Sequence, residues 1–415
     1  MSNTHMTTTI FDNTANRSLT GIFCLGLYIW LSIQVLRETL IVAELPKDSA
    51  CLFAINSVRL VSLLIIALFE FTAINKTKVR SFAIVSILVI IAIISKLHTD
   101  ETIFLEFIFI VFVSRNVKFE QIAKTSIYAI SLLLIVVATL SAMRLIPDAE
   151  VTREVGASIV SKRSSMGFEW PSRLPNYFLC VCMIYVMMKG RRVSKQVLLM
   201  LGVIAMIIFI ITGSRNPLLF TGILLVSVLM FSKTQIKSRH RKTVAYLSMF
   251  VILSFSLGIL IITWLYDSSN PLHESINKLI VGRLNYGYSA MHYNGITPFG
   301  TSNRSLDREA QMIMGYADSS YVRLFAWYGV VPYVVFMLLI LALAYRCAID
   351  NNVPLLICVV LACMHGVLEG QLFMLPHSPI MYLFPMIFGF SSLPHSECYE
   401  DLGINKNYSL QLFSQ

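Results

Sequence analysis

Apolar residues fall in long unbroken runs separated by short polar stretches, and the pattern recurs from one end of the chain to the other. About 20 consecutive apolar residues cross a bilayer as one helix. Twelve such helices are predicted, over 19–36, 51–71, 81–95, 103–114, 122–143, 175–188, 197–211, 218–231, 244–266, 321–345, 353–368 and 378–393. The third, fourth and sixth are short for that length, so the count is open by one or two. The expected fold class is an all-α polytopic membrane protein, one integral membrane domain over 1–415.

The polar stretches set the orientation. Lys76, Lys78 and Arg80, then Arg115, Lys118 and Lys124, then Lys189, Arg191, Arg192 and Lys195, then Lys233, Lys237, Arg239, Arg241 and Lys242 fall in alternate loops. Basic loops stay in the cytoplasm, so these share that side, together with both termini and the 394–415 tail. The opposite face carries two longer loops. One covers 144–174; the other, 267–320 between the ninth and tenth helices, exceeds a plain connector in length. Their arginines and lysines, among them Arg144, Arg153, Lys278, Arg304 and Arg308, run against the sorting bias and suit an anionic lipid head group. The alternative is solvated loop charge balanced by Asp267, Glu274, Asp307 and Glu309. No repeat relates the two halves.

Composition narrows the class. The chain is 56% hydrophobic and 13% charged, with mean hydropathy +0.71, against roughly 25% charged for a soluble domain. The net charge of +10 sits in short loops, so it does not call for nucleic acid. Of the eight cysteines, Cys398 is in the tail and the others lie in or beside apolar runs, which is no disulfide framework. Cys180 and Cys182 read as small core residues rather than metal ligands. The polar N-terminus through Arg17 leads directly into a full span, unlike a cleavable signal peptide. There is no Walker A loop, dinucleotide fingerprint or zinc spacing, so neither a cofactor nor a metal is expected.

Candidate chemistry gathers on the outer loops. Arg215 sits in the short turn between the seventh and eighth helices, and an arginine at or in the membrane tends to be functional. Asn216 as N-cap and Pro217 as first helical residue would aim free N–H groups and a positive dipole end at the same place, an anion site suited to phosphate. The competing reading is a turn residue snorkelling to the interface. Arg163, Gly167 and Trp170 share the loop before the sixth helix; Trp170 is either an interfacial anchor or a stacking surface for a sugar. Arg283 lies in the large loop with Tyr286, Tyr288, His292 and Tyr293, rings suited to a saccharide or to packing of a turn-rich cap. Asp318 or Ser320 could cap the tenth helix, with Tyr321 and Arg323 in its first turn. His365 and Glu369, four apart, would share a helix face near the outer end of the eleventh span, with His377 in the next loop; either is a general-base candidate. Arg59 and Glu106 are further intramembrane charges whose partners the sequence does not reveal.

The Thr212-Gly213-Ser214-Arg215 turn resembles the small-Ser-Arg turn of bacterial Wzy-type membrane glycan polymerases, and more distantly of O-antigen ligases. Arg163 with Gly167-Phe168 and Pro171 is similar to that family's Arg…Gly-Phe-x-His-Pro-Asn stretch, with Trp170 in place of His and Ser172 in place of Asn. Gly282-Arg283-Leu284, Phe299-Gly300 and Asp318-x-x-Tyr321 before Gly329 resemble its external loop and exit helix. The ligase His near that exit is not found. The resemblance implies a glycosyltransferase of the bacterial inner membrane. It would join undecaprenyl-diphosphate-linked oligosaccharide units into O-antigen or capsular polysaccharide, without a cofactor, beside a flippase and a chain-length regulator. It further implies that Arg215 stabilises the leaving diphosphate. Arg163, Arg283, Gly167, Trp170, Arg323 and Tyr321 would bind substrate, and Glu369, His365 or Asp318 would serve as base. A lipid-linked oligosaccharide flippase or transporter is the alternative from another class, and should show repeated halves around midplane polar groups; an O-antigen ligase, with the same arginines and a different acceptor, is the third reading.

Overall fold

The computed structural model describes residues 3–46, 48–73, 79–99, 102–115, 117–154, 160–302 and 318–387, which are mostly helical. Lys76, Lys78, Arg304, Asp307, Arg308, Glu309, the end of the last expected span (388–393) and the tail lie outside the described residues. In chain order the helices are α1 (Asn3–Arg37), α2 (Leu40–Ala43), α3 (Ala50–Ala73), α4 (Val79–Thr99), α5 (Ile103–Ser114), α6 (Phe119–Ala142), α7 (Arg173–Lys189), α8 (Lys195–Thr212), α9 (Arg215–Phe231), α10 (Arg241–Trp264), α11 (Pro271–Leu279), α12 (Arg283–Asn294), α13 (Ser320–Arg323), α14 (Val330–Ile349), α15 (Val353–His365) and α16 (Phe384–Ile387). Six helices are long and apolar enough to cross a membrane, and four shorter apolar ones accompany them. Their outer faces carry rows such as Phe53, Leu60, Leu64 and Leu68 on α3 and Leu199, Val203 and Ile210 on α8, all exposed. In water such rows would be aggregation surfaces; in a bilayer they meet acyl chains. This is the architecture of a multi-pass membrane protein. Inward faces pack around aromatics such as Phe107, Phe336 and Phe384, whose rings meet edge-on at 5.7–6.3 Å.

Three turns are tied together at one end of the bundle. Arg191 donates to the Asn351 carbonyl (2.9 Å), the Asn351 side chain accepts the Ile236 N–H (2.7 Å), and Arg241 donates to the Ile349 carbonyl (3.2 Å). The turns α7–α8, α9–α10 and α14–α15 therefore lie side by side, and the first two are basic loops expected to share one face.

Four departures from the expected pattern bear on the site. The 144–174 loop contains an antiparallel hairpin, β1 (Glu150–Glu154) and β2 (Val160–Ser164), with Val151 opposite Arg163. Asp148 closes its base by accepting from the Ser164 and Ser165 hydroxyls at 2.6 and 2.8 Å. Among the described residues between α10 and α13, the large loop forms two short helices, α11 and α12, rather than turns alone. The continuous tenth helix expected over 321–345 is broken: α13 passes into a π-helical turn, Leu324–Tyr328, and stops at Gly329. Residues 297–301 fill the break, their carbonyls at Thr297 and Pro298 accepting the Val330 and Val331 N–H groups at 3.0 Å each. Gly300 permits this approach, since a Cβ there would collide with the Trp327 carbonyl. Finally, the expected helix over 378–393 begins instead as a 3-10 turn, Pro379–Leu383, before α16. Pro385, in the interior of the expected span, lacks the N–H group a continuous helix requires there.

Candidate active site

The opposite end of the bundle carries the polar groups. α9 starts two residues earlier than expected, with Ser214 in the N-cap position and Arg215 as its first residue, so Asn216 does not cap and Pro217 lies within the first turn. Ser214 is occupied elsewhere: its hydroxyl donates to the Pro171 carbonyl (3.0 Å) and accepts from Arg163 (2.8 Å). Arg163 also donates to the Thr212 carbonyl at 2.8 Å, so β2 is latched across the end of α8. Gly213 closes α8 in the left-handed region (φ 60°), and the Arg163 stem lies over it where a side chain would stand. Arg163 thus builds the turn, while Arg215 projects from it, exposed and with no hydrogen bond or ion pair among the described residues.

Pro171 leads into α7, whose first turn supplies Arg173 and the buried Asn176. Asn176 donates to Glu369 (3.2 Å), and the other Glu369 oxygen meets Arg283 at 3.3 Å. Arg283, the first residue of α12, reaches Asp318 as well, at 3.1 Å. Ser320 fixes the far side by donating to the Glu369 carbonyl and accepting the Leu372 N–H. Two runs of hydrogen bonds therefore meet at the head of α7, one from Arg163 through Ser214 to Pro171 and one from Asn176 through Glu369 and Arg283 to Asp318.

Asp318 does not cap the helix after it; Ser319 holds that position without a side-chain cap bond, which leaves the Asp318 carboxylate to Arg283. Its side chain is half-exposed, yet the protein around it removes enough solvent to lift its pKa above the ordinary value, against the pull of Arg283. Glu369 is not on a shared helix face with His365: α15 ends at His365, and Glu369 is carried in the following turn. His365 is set against α9, its ring edge-on to Phe220 (centroids 5.1 Å) and its buried Nε2 without a hydrogen-bond partner. Tyr321 is fully buried, donating to the Cys363 carbonyl at 2.8 Å. The Arg323 guanidinium lies 4.0 Å from the Trp327 ring centre. Gly167 anchors the hairpin exit, its carbonyl accepting the Leu40 N–H (3.0 Å), and Trp170 stands exposed beside it. In the cap, His292 stacks between Tyr288 (3.8 Å) and Trp264 (4.9 Å). Cys180 and Cys182 are buried core residues.

Sequence reasoning passed over Asn176 and Glu38, and counted Arg173 only among the outer-loop cations. Glu38, next to the end of α1, pairs with His377 (3.0 Å) and Arg173 (3.5 Å). Burial pushes its carboxyl up, but His377 and Arg173 beside it, with a hydrogen bond from Tyr177, outweigh that and hold it down at about 2. The available signal was a polar side chain in the first turn of an otherwise apolar helix.

No protein-family model matches the chain, and neither a curated protein nor a solved structure does. The arrangement offers an exposed guanidinium at a helix N-terminus, a second guanidinium between two carboxylates, and one of those carboxylates open to a hydroxyl-bearing ligand.

Proposed function

We propose that the chain is a membrane glycan polymerase of the Wzy type. It joins polyprenyl-diphosphate-linked oligosaccharide units on the outer face of a bacterial inner membrane. The observation that carries this reading is Arg283 held between Asp318 and Glu369, at the end of the bundle where Arg215 heads α9.

The acceptor sugar's hydroxyl oxygen attacks the anomeric carbon of the growing chain. The new C–O bond forms as the bond from that carbon to the lipid diphosphate breaks, and the diphosphate leaves with the electron pair. Charge develops on the leaving phosphate oxygens. Arg215 and the α9 N-terminus, with Arg283, are placed to meet it, and one such donor is worth roughly 10²–10³ in rate. The hydroxyl proton passes to Asp318, the more open carboxylate. Glu369, buried and bonded to Arg283 and Asn176, orients Arg283 instead. Arg163 positions Arg215 through the latched turn.

Asp318→Asn and Glu369→Gln separate these roles. In cells that make the polymer, Asp318→Asn should leave single-unit capped lipid at normal protein level. Glu369→Gln should retain short ladders, because Gln still accepts from Arg283. Full-length ladders from Asp318→Asn would remove it as the base.

A further inference from the structure

A separate cavity of about 220 Å³ opens between α1, α3, α5 and residues 374–377. α5 has 12 residues, about 18 Å of helix against the ~30 Å hydrocarbon core. Its first turn meets α3 at Arg59, about 14 Å along the axis from the start of that helix. The cavity runs from Arg37, the last residue of α1, past Gln34 to Trp30.

Arg59 and Glu106, the unassigned intramembrane charges, face each other here, but at 3.6 Å they form an ion pair without a hydrogen bond. Glu106 is already satisfied by neutral donors: the Thr102 hydroxyl (2.7 Å), the Trp30 indole (3.3 Å) and the Gln34 amide (3.4 Å). The Arg59 guanidinium, one-fifth exposed, has no hydrogen-bond acceptor among the described residues and borders the cavity. A guanidinium donates up to five hydrogen bonds, and leaving them unmade in a membrane interior is costly. Glu38, the other carboxylate on the wall, is engaged by His377 and Arg173. What the space lacks is an acceptor, and the second arginine, Arg37, stands near its outer end. The remaining wall is apolar, with Phe107 and Leu375.

We propose that this cavity is a second phosphate-binding site, separate from the Arg283–Glu369 network. It takes the phosphate of an amphiphile whose chain lies along Phe107 and Leu375. A reaction between two lipid-linked units has two diphosphates to hold. Use of the cavity for one of them rests on the polymerase reading; phosphate binding does not.

Trp30 reports on the site directly. With Trp170, Trp264 and Trp327 replaced by Phe, it is the one remaining tryptophan of four. The full chain is placed in phosphatidylcholine nanodiscs, and brominated phosphatidic acid or brominated phosphatidylcholine is titrated in. Saturable quenching by the phosphatidic acid alone is expected. Arg59→Gln should weaken it at least about tenfold, as for the loss of a charge-assisted hydrogen bond, and Arg37→Gln should weaken it too. Glu106→Gln, which removes a negative charge, should not weaken it, and Arg283→Gln should leave the curve unchanged whether or not elongation is lost. Displacement by inorganic phosphate would show that the phosphate group suffices; no displacement would show that the lipid chain is needed. Equal quenching by both lipids, or an unchanged curve in both arginine variants, would overturn the proposal. Loss of binding in Arg283→Gln would overturn its separateness.

Discussion

Replacing Arg283 with Met should destabilise the protein chiefly through Glu369. The Arg283 side chain is 18% exposed and that of Glu369 9%, whereas Asp318 is 49% exposed. The arm to Asp318 is solvent-screened and contributes about 0–1 kcal/mol. The arm to Glu369 is nearly buried, and removing its cation leaves a charge in low dielectric, a loss of roughly 3–5 kcal/mol. Asn176 still donates to Glu369, so the lower end of that range applies. In Arg283→Met/Glu369→Gln no charge is stranded, and most of the loss should be recovered, a coupling of about 2 kcal/mol. Thermal unfolding in mild detergent, followed by size-exclusion fluorescence, should rank wild type first, the double variant close behind and Arg283→Met clearly lowest. Arg215→Met, which breaks no interaction among the described residues, should melt with wild type. A double variant no more stable than Arg283→Met would refute the stranded-charge argument.

Three further outcomes follow from the geometry. The Glu38 carboxyl is held near 2 in the fold against an ordinary value of 4.5. Its contribution is therefore present above pH 4.5 and lost as the pH falls toward 2; it amounts to as much as about 3 kcal/mol, and melting of Glu38→Gln should vary less over that window. Gly300→Ala drives a Cβ into the Trp327 carbonyl and should reduce folded yield on size-exclusion more than Gly222→Ala, where a Cβ meets nothing within 4 Å. Topology reporters fused after residues 236 and 268 should fall on opposite sides of the membrane, because α10 lies between those positions; the same side for both would break the antiparallel arrangement.

Much of this was legible in the chain. Apolar runs located α1 and α3 to α10, and basic loops grouped the turns at Arg191 and Arg241. Arg283, Asp318 and Glu369 stood out as charges beside apolar runs. Their partnership did not, because the pairs lie 35 and 86 residues apart and only packing of α12 against the turn after α15 brings them together. Arg59 and Glu106 were likewise visible as charges and invisible as a pair. Periodicity misled at His365 and Glu369, where four-residue spacing reads as one helix face but α15 ends at the first of them. It also missed the break at Gly329, since an apolar run looks the same whether or not another segment supplies acceptors to its freed N–H groups.

On the proposed reading, guanidinium groups at one end of this bundle hold a lipid diphosphate while sugar is transferred from it. Elongation by the purified protein in liposomes tests that most directly, with polyprenyl-diphosphate-linked repeat units as the sole substrate and no nucleotide sugar. A ladder of products from wild type, and single units from both Arg215→Gln and Arg283→Gln at equal protein incorporation, is the predicted result. Ladders from both variants indistinguishable from wild type would contradict it.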